Sequence, residues 1–431
     1  MPPSATHHTL TFSDLSSLLK SLYRLQRHGI KLGLEHTYRL LESIGNPHDG
    51  LVFIHVAGTN GKGSTCAMIY SILRASGKKV GLYTSPHLLR FNERIRVDGS
   101  PISDQEIMMF MNKAENDIMQ IESTFFETTT AMALDHFKNS EVDVAVIETG
   151  LGGSLDSTNV INPDLSVITP VSLDHKDILG DDIVKIATEK AGIIKPGVPL
   201  ILAEQEKEVE RLFQKKADQV NSEIQMVKNS MVLEIDFDQN GCHFSFEGDL
   251  YHLPLIGTHQ AYNAAVAVKS IQRYDSTIKT AELQTGIKTV QWPGRLEKVG
   301  NFIYYDVAHN QVGISSVIKA IKILYPNRPL IGLFCLKNDK EFSLIVESFQ
   351  DSMNTVYVTT DKNGLLIDSY QLWESLKNAG CKSEPVDTVS AGITRMKLKI
   401  NRGGIGLIFG SHYIAEEVYK EFEISFDTGK I

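Results

Sequence analysis

Short apolar runs alternate with longer stretches of helical spacing along the first half of the chain. The run Leu51–Val56 reads as a strand buried on both faces. A glycine-rich turn follows it, then a helix over Ser64–Ser76 that Gly77 stops. Further strands are expected over Val80–Thr84, Val142–Glu148, Leu165–Thr169 and Val198–Leu202. Helical periodicity fills Asp104–Ile121, Thr129–Lys138, Ile183–Ala191 and Val209–Val220. Such alternation predicts βα units on a mostly parallel sheet. The pattern then changes: Met231–Phe237 and Cys242–Phe246 flank Asn240-Gly241, a hairpin signal for a small antiparallel patch. A helix is expected from near Asn263 towards Tyr274, and Trp292-Pro293-Gly294 punctuates the chain as a linker. A second βα series follows at Phe302–Tyr305, Leu330–Phe334, Thr355–Val358 and Ile405–Phe409. Two α/β domains are therefore expected, 1–294 and 295–431.

Composition narrows the function classes. The 431 residues carry a net charge of −9, a poor match to duplex nucleic acid, which needs a basic face. No uncharged apolar run approaches the ~20 residues of a membrane helix, and the first residues lack a secretory pattern. Cys66, Cys242, Cys335 and Cys381 are scattered, without the spacing of a zinc knuckle or a disulfide frame. The expectation is a cytoplasmic, multidomain enzyme with no nucleic-acid or membrane partner.

The most informative stretch is Ala57-Gly58-Thr59-Asn60-Gly61-Lys62-Gly63-Ser64-Thr65, between strand and helix. It departs from the common P-loop spacing, since Val56 stands where the first glycine belongs and Gly63 follows the lysine. The physical parts are nevertheless in order: glycines that let N–H groups converge on phosphate, Lys62 to reach the β/γ-phosphates, a helix N-terminus, and the Ser64 hydroxyl near a metal. The first domain is accordingly expected to be of P-loop type, the second smaller and Rossmann-like. Other strand ends carry polar groups too. Ser85 sits in Thr84-Ser85-Pro86-His87-Leu88, Glu148 closes the Val142 strand beside Gly150, Gly152 and Gly153, and Asp174-His175 follow the Leu165 strand. Ligands of open parallel sheets gather at such ends. Singly, Ser85 reads as a turn residue, Glu148 equally well as a strand terminator, and Asn92–Arg96 as a solvated edge.

Together these blocks make the chain resemble the folylpolyglutamate synthase and dihydrofolate synthase branch of the Mur ligases. The resemblance rests on AGTNGKGST (57–65), TSPHL (84–88), ETGLGGSLDSTN (148–159), LDH (173–175), EKAGIIKPG (189–197), NAA (263–265), PGRLE (293–297), DVAHN (306–310) and GSH (410–412). One departure lies in the glycine-rich loop, where Ser154 and Ser157 replace the family's Arg and Ala. The resemblance implies that ATP phosphorylates a substrate carboxylate and that the amine of L-glutamate displaces phosphate, with dihydropteroate or reduced folates as acceptors. Thr59, Asn60, Gly61, Lys62 and Gly63 would hold phosphates, Asn263 adenine, and Arg295 and Asp306 phosphate and ribose. Ser64, Ser85, Glu148, His175 and a carboxylated Lys190 would ligate two magnesium ions, with a monovalent cation possible. Lys62, Lys190 and His175 would carry the chemistry. The pteroate end would fall on Lys31, Leu32, Thr124, Phe125, Phe126, Glu127, Leu155, Asp156 and Ser157, although two adjacent aromatics are ordinarily core. Arg94, His309 and Ser411 would meet the incoming glutamate. The expected state is a monomer. A peptidoglycan-type Mur ligase and a P-loop switch ATPase stand as the alternatives.

Overall fold

A computed structural model describes residues 15–25, 33–174, 180, 182–338, 340 and 342–425. Eight strands form the first sheet: β1 (Phe53–Ala57), β2 (Val80–Tyr83), β3 (Ile95–Val97), β4 (Ser100–Pro101), β5 (Val144–Glu148), β6 (Leu165–Ile168), β7 (Leu200–Ala203) and β8 (Ile224–Val227). Their order is β4-β3-β2-β5-β1-β6-β7-β8, parallel throughout except at the β2-β3-β4 edge. The central strand β1 is buried along its whole length. Its side chains alternate, so Ile54 and Val56 enter one hydrophobic core and Phe53 the other.

Helices cover both faces. On one side α1 (Leu15–Arg24), α2 (Glu35–Ser43), α4 (Asp104–Ile121) and α5 (Phe125–Asn139) share a core with Phe53, Tyr83 and Ile147. On the other, α3 (Lys62–Ala75) is sandwiched between the sheet and the helices Thr258–Tyr274 and Thr280–Thr289. That position explains why α3 is buried nearly all round, from Gly63 to Leu73. A three-stranded antiparallel sheet, β9 (Val232–Asp238), β10 (Gly241–Phe246) and β11 (Asp249–Leu253), packs Phe244, Phe246 and Tyr251 onto the same core. The second domain holds six strands, β12 (Glu297–Gly300), β13 (Ile303–Asp306), β14 (Leu330–Phe334), β15 (Thr355–Val358), β16 (Ser383–Pro385) and β17 (Ile405–Phe409), in the order β12-β13-β17-β14-β15-β16. Only β12 runs antiparallel to its neighbour.

Three expectations are corrected. Helix α5 starts at Phe125 rather than Thr129, because Thr124 and Glu127 form a capping box that adds a turn. The helix expected from Asn263 begins at Thr258, so Asn263 lies in its second turn, and Gln260 and Ala261 are already buried. The segment Asn92–Arg96 is no solvated edge: Glu93, Arg94 and Arg96 are all buried.

Candidate active site

A cavity of about 990 Å³ opens where the C-terminal ends of β1, β2, β5 and β6 face those of β13, β14 and β17. Both domains line it. Its floor is the loop between β1 and α3. Gly61 caps α3 at φ +86°, and a Cβ there would come 2.3 Å from Asn263 Oδ1. Gly63 lies under the Trp292 indole, where a Cβ would sit 3.0 Å from the ring. The N–H groups of Thr59 and Asn60 donate to the Pro170 carbonyl at 3.0 and 3.2 Å. Those two amides brace the loop, so the first-turn amides of α3 are the donors that face outward, beyond the helical ladder. Lys62 folds back onto Thr59 O at 3.3 Å, and the buried Ser64 stands beside it on the cavity wall.

Beside the loop, at the end of the neighbouring strand β5, stands Glu148, 4% exposed, its Oε2 accepting the Ser85 N–H at 3.1 Å. Burial raises its carboxyl above the ordinary value, against the pull of Lys62 and Arg295. Lys190 reaches the same cavity from the end of the helix Ile183–Lys190. Burial, and then the charge of Lys62, lower its pKa to about 7. Arg94 projects from the edge of the sheet with its guanidinium 5.2 Å from the Phe125 ring centre, and its Nε donates to His87 Nδ1 at 2.8 Å. Burial and that guanidinium push His87 down to about 3, so it stays a neutral acceptor. The Glu93 carboxylate gathers the N–H groups of Leu88, Leu89 and Arg90 at 2.6–2.9 Å, folding the loop that presents His87.

The second domain contributes Arg295, Asp306, His309 and Ser411. Asp306 accepts the N–H groups of Leu296 and Ala308, both at 2.7 Å, and burial raises its carboxyl against the pull of Arg295. Of the other expected residues, Thr59, Asn60, Gly61, Gly63, Ser85, Thr124, Phe125, Phe126 and Asn263 also line the cavity. Phe125 belongs mainly to the core, stacked on Tyr23, while Phe126 is 39% exposed.

Glu127, Leu155, Asp156 and Ser157 are not brought to the cavity wall. Glu127 accepts the Thr124 N–H as half of the capping box, and Asp156 is consumed by the N–H groups of Leu151 and Thr158. Ser157 bonds Thr130 Oγ1 at 2.7 Å, and Leu155 faces solvent. Lys31, Leu32 and His175 lie outside the described residues. Sequence reading missed Tyr23, His259, Gln260, Asn310 and His412 on the wall, as well as Ala203, Val227 and Val266 near Asn263. Asn310 and His412 stand inside blocks already singled out; the others carry no signal of their own.

Comparison with known proteins agrees with this architecture. Residues 56–271 match the Mur ligase middle domain, and 294–412 the Mur ligase glutamate ligase domain. The chain is 33% identical to the dihydrofolate synthase/folylpolyglutamate synthase of Bacillus subtilis, over 92% of this chain and 96% of that one. It is 36% identical to the folylpolyglutamate synthase of Lacticaseibacillus casei, over 81% and 85%. Mycobacterium tuberculosis folylpolyglutamate synthase, complexed with ADP and AMPPCP, superposes with a TM-score of 0.89 at 29% identity, covering 95% of this chain and 98% of that one. Escherichia coli FolC in complex with DHPP and ADP gives 0.86 at 29% identity, covering 96% and 98%. The chain therefore belongs to the Mur ligase family, in its folylpolyglutamate synthase and dihydrofolate synthase branch.

Proposed function

We infer that this chain is an ATP-dependent ligase joining L-glutamate to a folate-type carboxylate, of dihydropteroate, of reduced folates or of both, with release of ADP and phosphate. The observation that carries the reading is one cavity in which a phosphate loop, a buried carboxylate and basic groups from both domains converge. A free carboxylate resists amine attack, because its carbon is electron-rich and oxide leaves poorly. Transfer of the γ-phosphoryl group to that carboxylate gives an acyl phosphate, and the glutamate amine then displaces phosphate. The protein mainly positions the parts and excludes water. In this reading Lys62 and the first turn of α3 hold the phosphates, Arg295 adds positive charge from the second domain, and Asp306 meets the ribose. Asn263 serves the adenine, the Phe126 side of the cavity the pteroate, and Arg94, His309 and Ser411 the incoming glutamate.

The residues present fit a hard divalent cation. Glu148 supplies a buried carboxylate, and the hydroxyls of Ser64 and Ser85 share its cavity. Among the described residues no three His, Cys, Asp or Glu side chains converge, so the remaining oxygens would come from a carboxylated Lys190 and the substrates, with His175 as a further ligand. Magnesium held there would neutralise charge on the transferred phosphoryl group. All four cysteines are free and buried, in keeping with a reducing cytoplasm, and among the described residues no helix is long and apolar enough to cross a membrane. In this reading the domain boundary falls at 294/295, directly after the Pro293-Gly294 turn, and the working state is a monomer.

Incubation with Mg-ATP, glutamate and either dihydropteroate or tetrahydrofolate tests the function. Mass spectrometry should show one or more glutamates added, with phosphate release that requires both glutamate and acceptor. Phosphate release indifferent to both would identify a switch-type ATPase instead.

A further inference from the structure

Asn310 follows β13 and caps the helix Gln311–Leu324, its Oδ1 accepting the Gly313 N–H at 2.9 Å. That bond fixes the orientation of the amide, since the opposite flip would set two donors face to face. Its Nδ2 therefore points away from its own helix and across to the first domain. There it donates to Asn60 Oδ1 at 3.0 Å and to Asp174 Oδ2 at 3.3 Å. Asn60 in turn donates to Ser172 Oγ at 2.9 Å, while its backbone N–H is held by Pro170 O. Asn310 is 8% exposed, so these bonds are poorly replaced by water.

We propose that Asn310 is a positioning residue for the phosphate loop. It fixes the Asn60 side chain from the second domain, so the first-turn amides of α3 face the nucleotide without rearrangement. The inference rests on reading 57–65 as the phosphate loop. A competing role is that of a helix cap alone, and the two roles separate by chemistry. Serine is as good an N-cap as asparagine but lacks the donor that reaches Asn60. Asn310→Ser keeps the cap and loses only the donor side, so it should lower the melting temperature no more than Asn60→Ala does, which breaks the same bond, yet bind Mg-AMPPCP about tenfold more weakly than the parent protein by calorimetry. The KM for ATP should rise with it, and the KM for glutamate should stay unchanged. Asn310→Asp, which also keeps the cap, should weaken binding further, because its carboxylate meets Asn60 Oδ1 and Asp174. In an Asn60→Ala background the same Asn310→Ser change should cost little more, because Asn310 acts through Asn60. Parent-like affinity in both Asn310 variants, or losses that simply add to that of Asn60→Ala, would overturn the inference. Lys62→Ala serves as the control. If it leaves Mg-AMPPCP affinity unchanged, the phosphate-loop reading itself fails, a result distinct from failure at Asn310 alone.

Discussion

Lys190 is 4% exposed, and the largest influence on its pKa after burial is another cation, Lys62. Its pKa therefore falls from 10.5 to about 7, which leaves much of the amine neutral near pH 7 and open to carbon dioxide. Carboxylation replaces a misplaced positive charge with oxygen ligands. Lys190→Ala should lose activity that acetate or another short carboxylate partly restores; full activity without rescue would exclude the carbamate. The same shift has a stability consequence with a definite sign. Between pH 7 and 10.5 the unfolded chain binds more protons at this residue than the folded one, so stability rises with pH across that window. In carbon dioxide-free buffer, Lys190→Met should melt above the parent protein at pH 7, and the gap should narrow as the pH is raised. A gap that widens would mean the ammonium is well accommodated. Lys62→Ala should leave the fold intact and cost ~3–4 kcal/mol of barrier, the usual loss for one group stabilising transition-state charge. Near-parent turnover in a folded Lys62→Ala protein would remove Lys62 from the phosphate site.

At the scale of elements, the start of α5 shows how sequence signals mislead. Thr124-Phe125-Phe126-Glu127 was read for its aromatics, whereas its spacing is that of a capping box. Thr124 Oγ1 accepts the Glu127 N–H at 3.4 Å, and Glu127 Oε2 accepts the Thr124 N–H at 2.6 Å. Glu127→Ala should therefore cost about 1 kcal/mol of stability in urea titrations, with Glu127→Gln keeping most of it. Both variants should keep kcat and the KM for the pteroate substrate. A large rise in that KM with unchanged stability would return Glu127 to the pocket. The long βα elements were legible because apolar runs and glycine stops recur within a few residues. The short strands β3, β4, β8 and β16 were not, for each is two to four residues long and gains its place from a neighbouring strand. The buried charges of Glu93 and Arg94 were equally hidden. Their partners are a folded loop and His87, and no local pattern encodes either contact.

Across the whole molecule the cavity belongs to neither domain alone: its strand ends were foreseeable from the residues themselves, whereas Arg295, Asp306, His309 and Ser411 on its opposite wall were reached only through the family resemblance. Lys340 of the second domain places its Nζ 2.7 Å from Asp174 Oδ1 in the first, with both side chains at least 90% buried. His309 Nε2 stands 3.7 Å from the other carboxylate oxygen. A buried pair of this kind adds little net stability over an apolar replacement, but removing the ammonium takes a cation at 2.7 Å from a buried carboxylate, at up to about 3–5 kcal/mol, with the Asn310 and His309 contacts offsetting part of it. The cost falls on the contact between domains, since Asp174 follows β6 of the first domain and Lys340 follows β14 of the second. Lys340→Ala should therefore loosen the two domains from each other before it unfolds either. Calorimetry should show the parent protein melting in a single transition and the variant in two, with the first lowered. Lys340→Met, which takes away the same ammonium but fills the space, should split it as well. Asp174→Asn combined with Lys340→Met removes both charges and should bring the two transitions back towards one. Persistence of a single unshifted transition in Lys340→Ala would show that the domains are held together elsewhere, by Asn310 and the linker at Trp292 rather than by this ion pair.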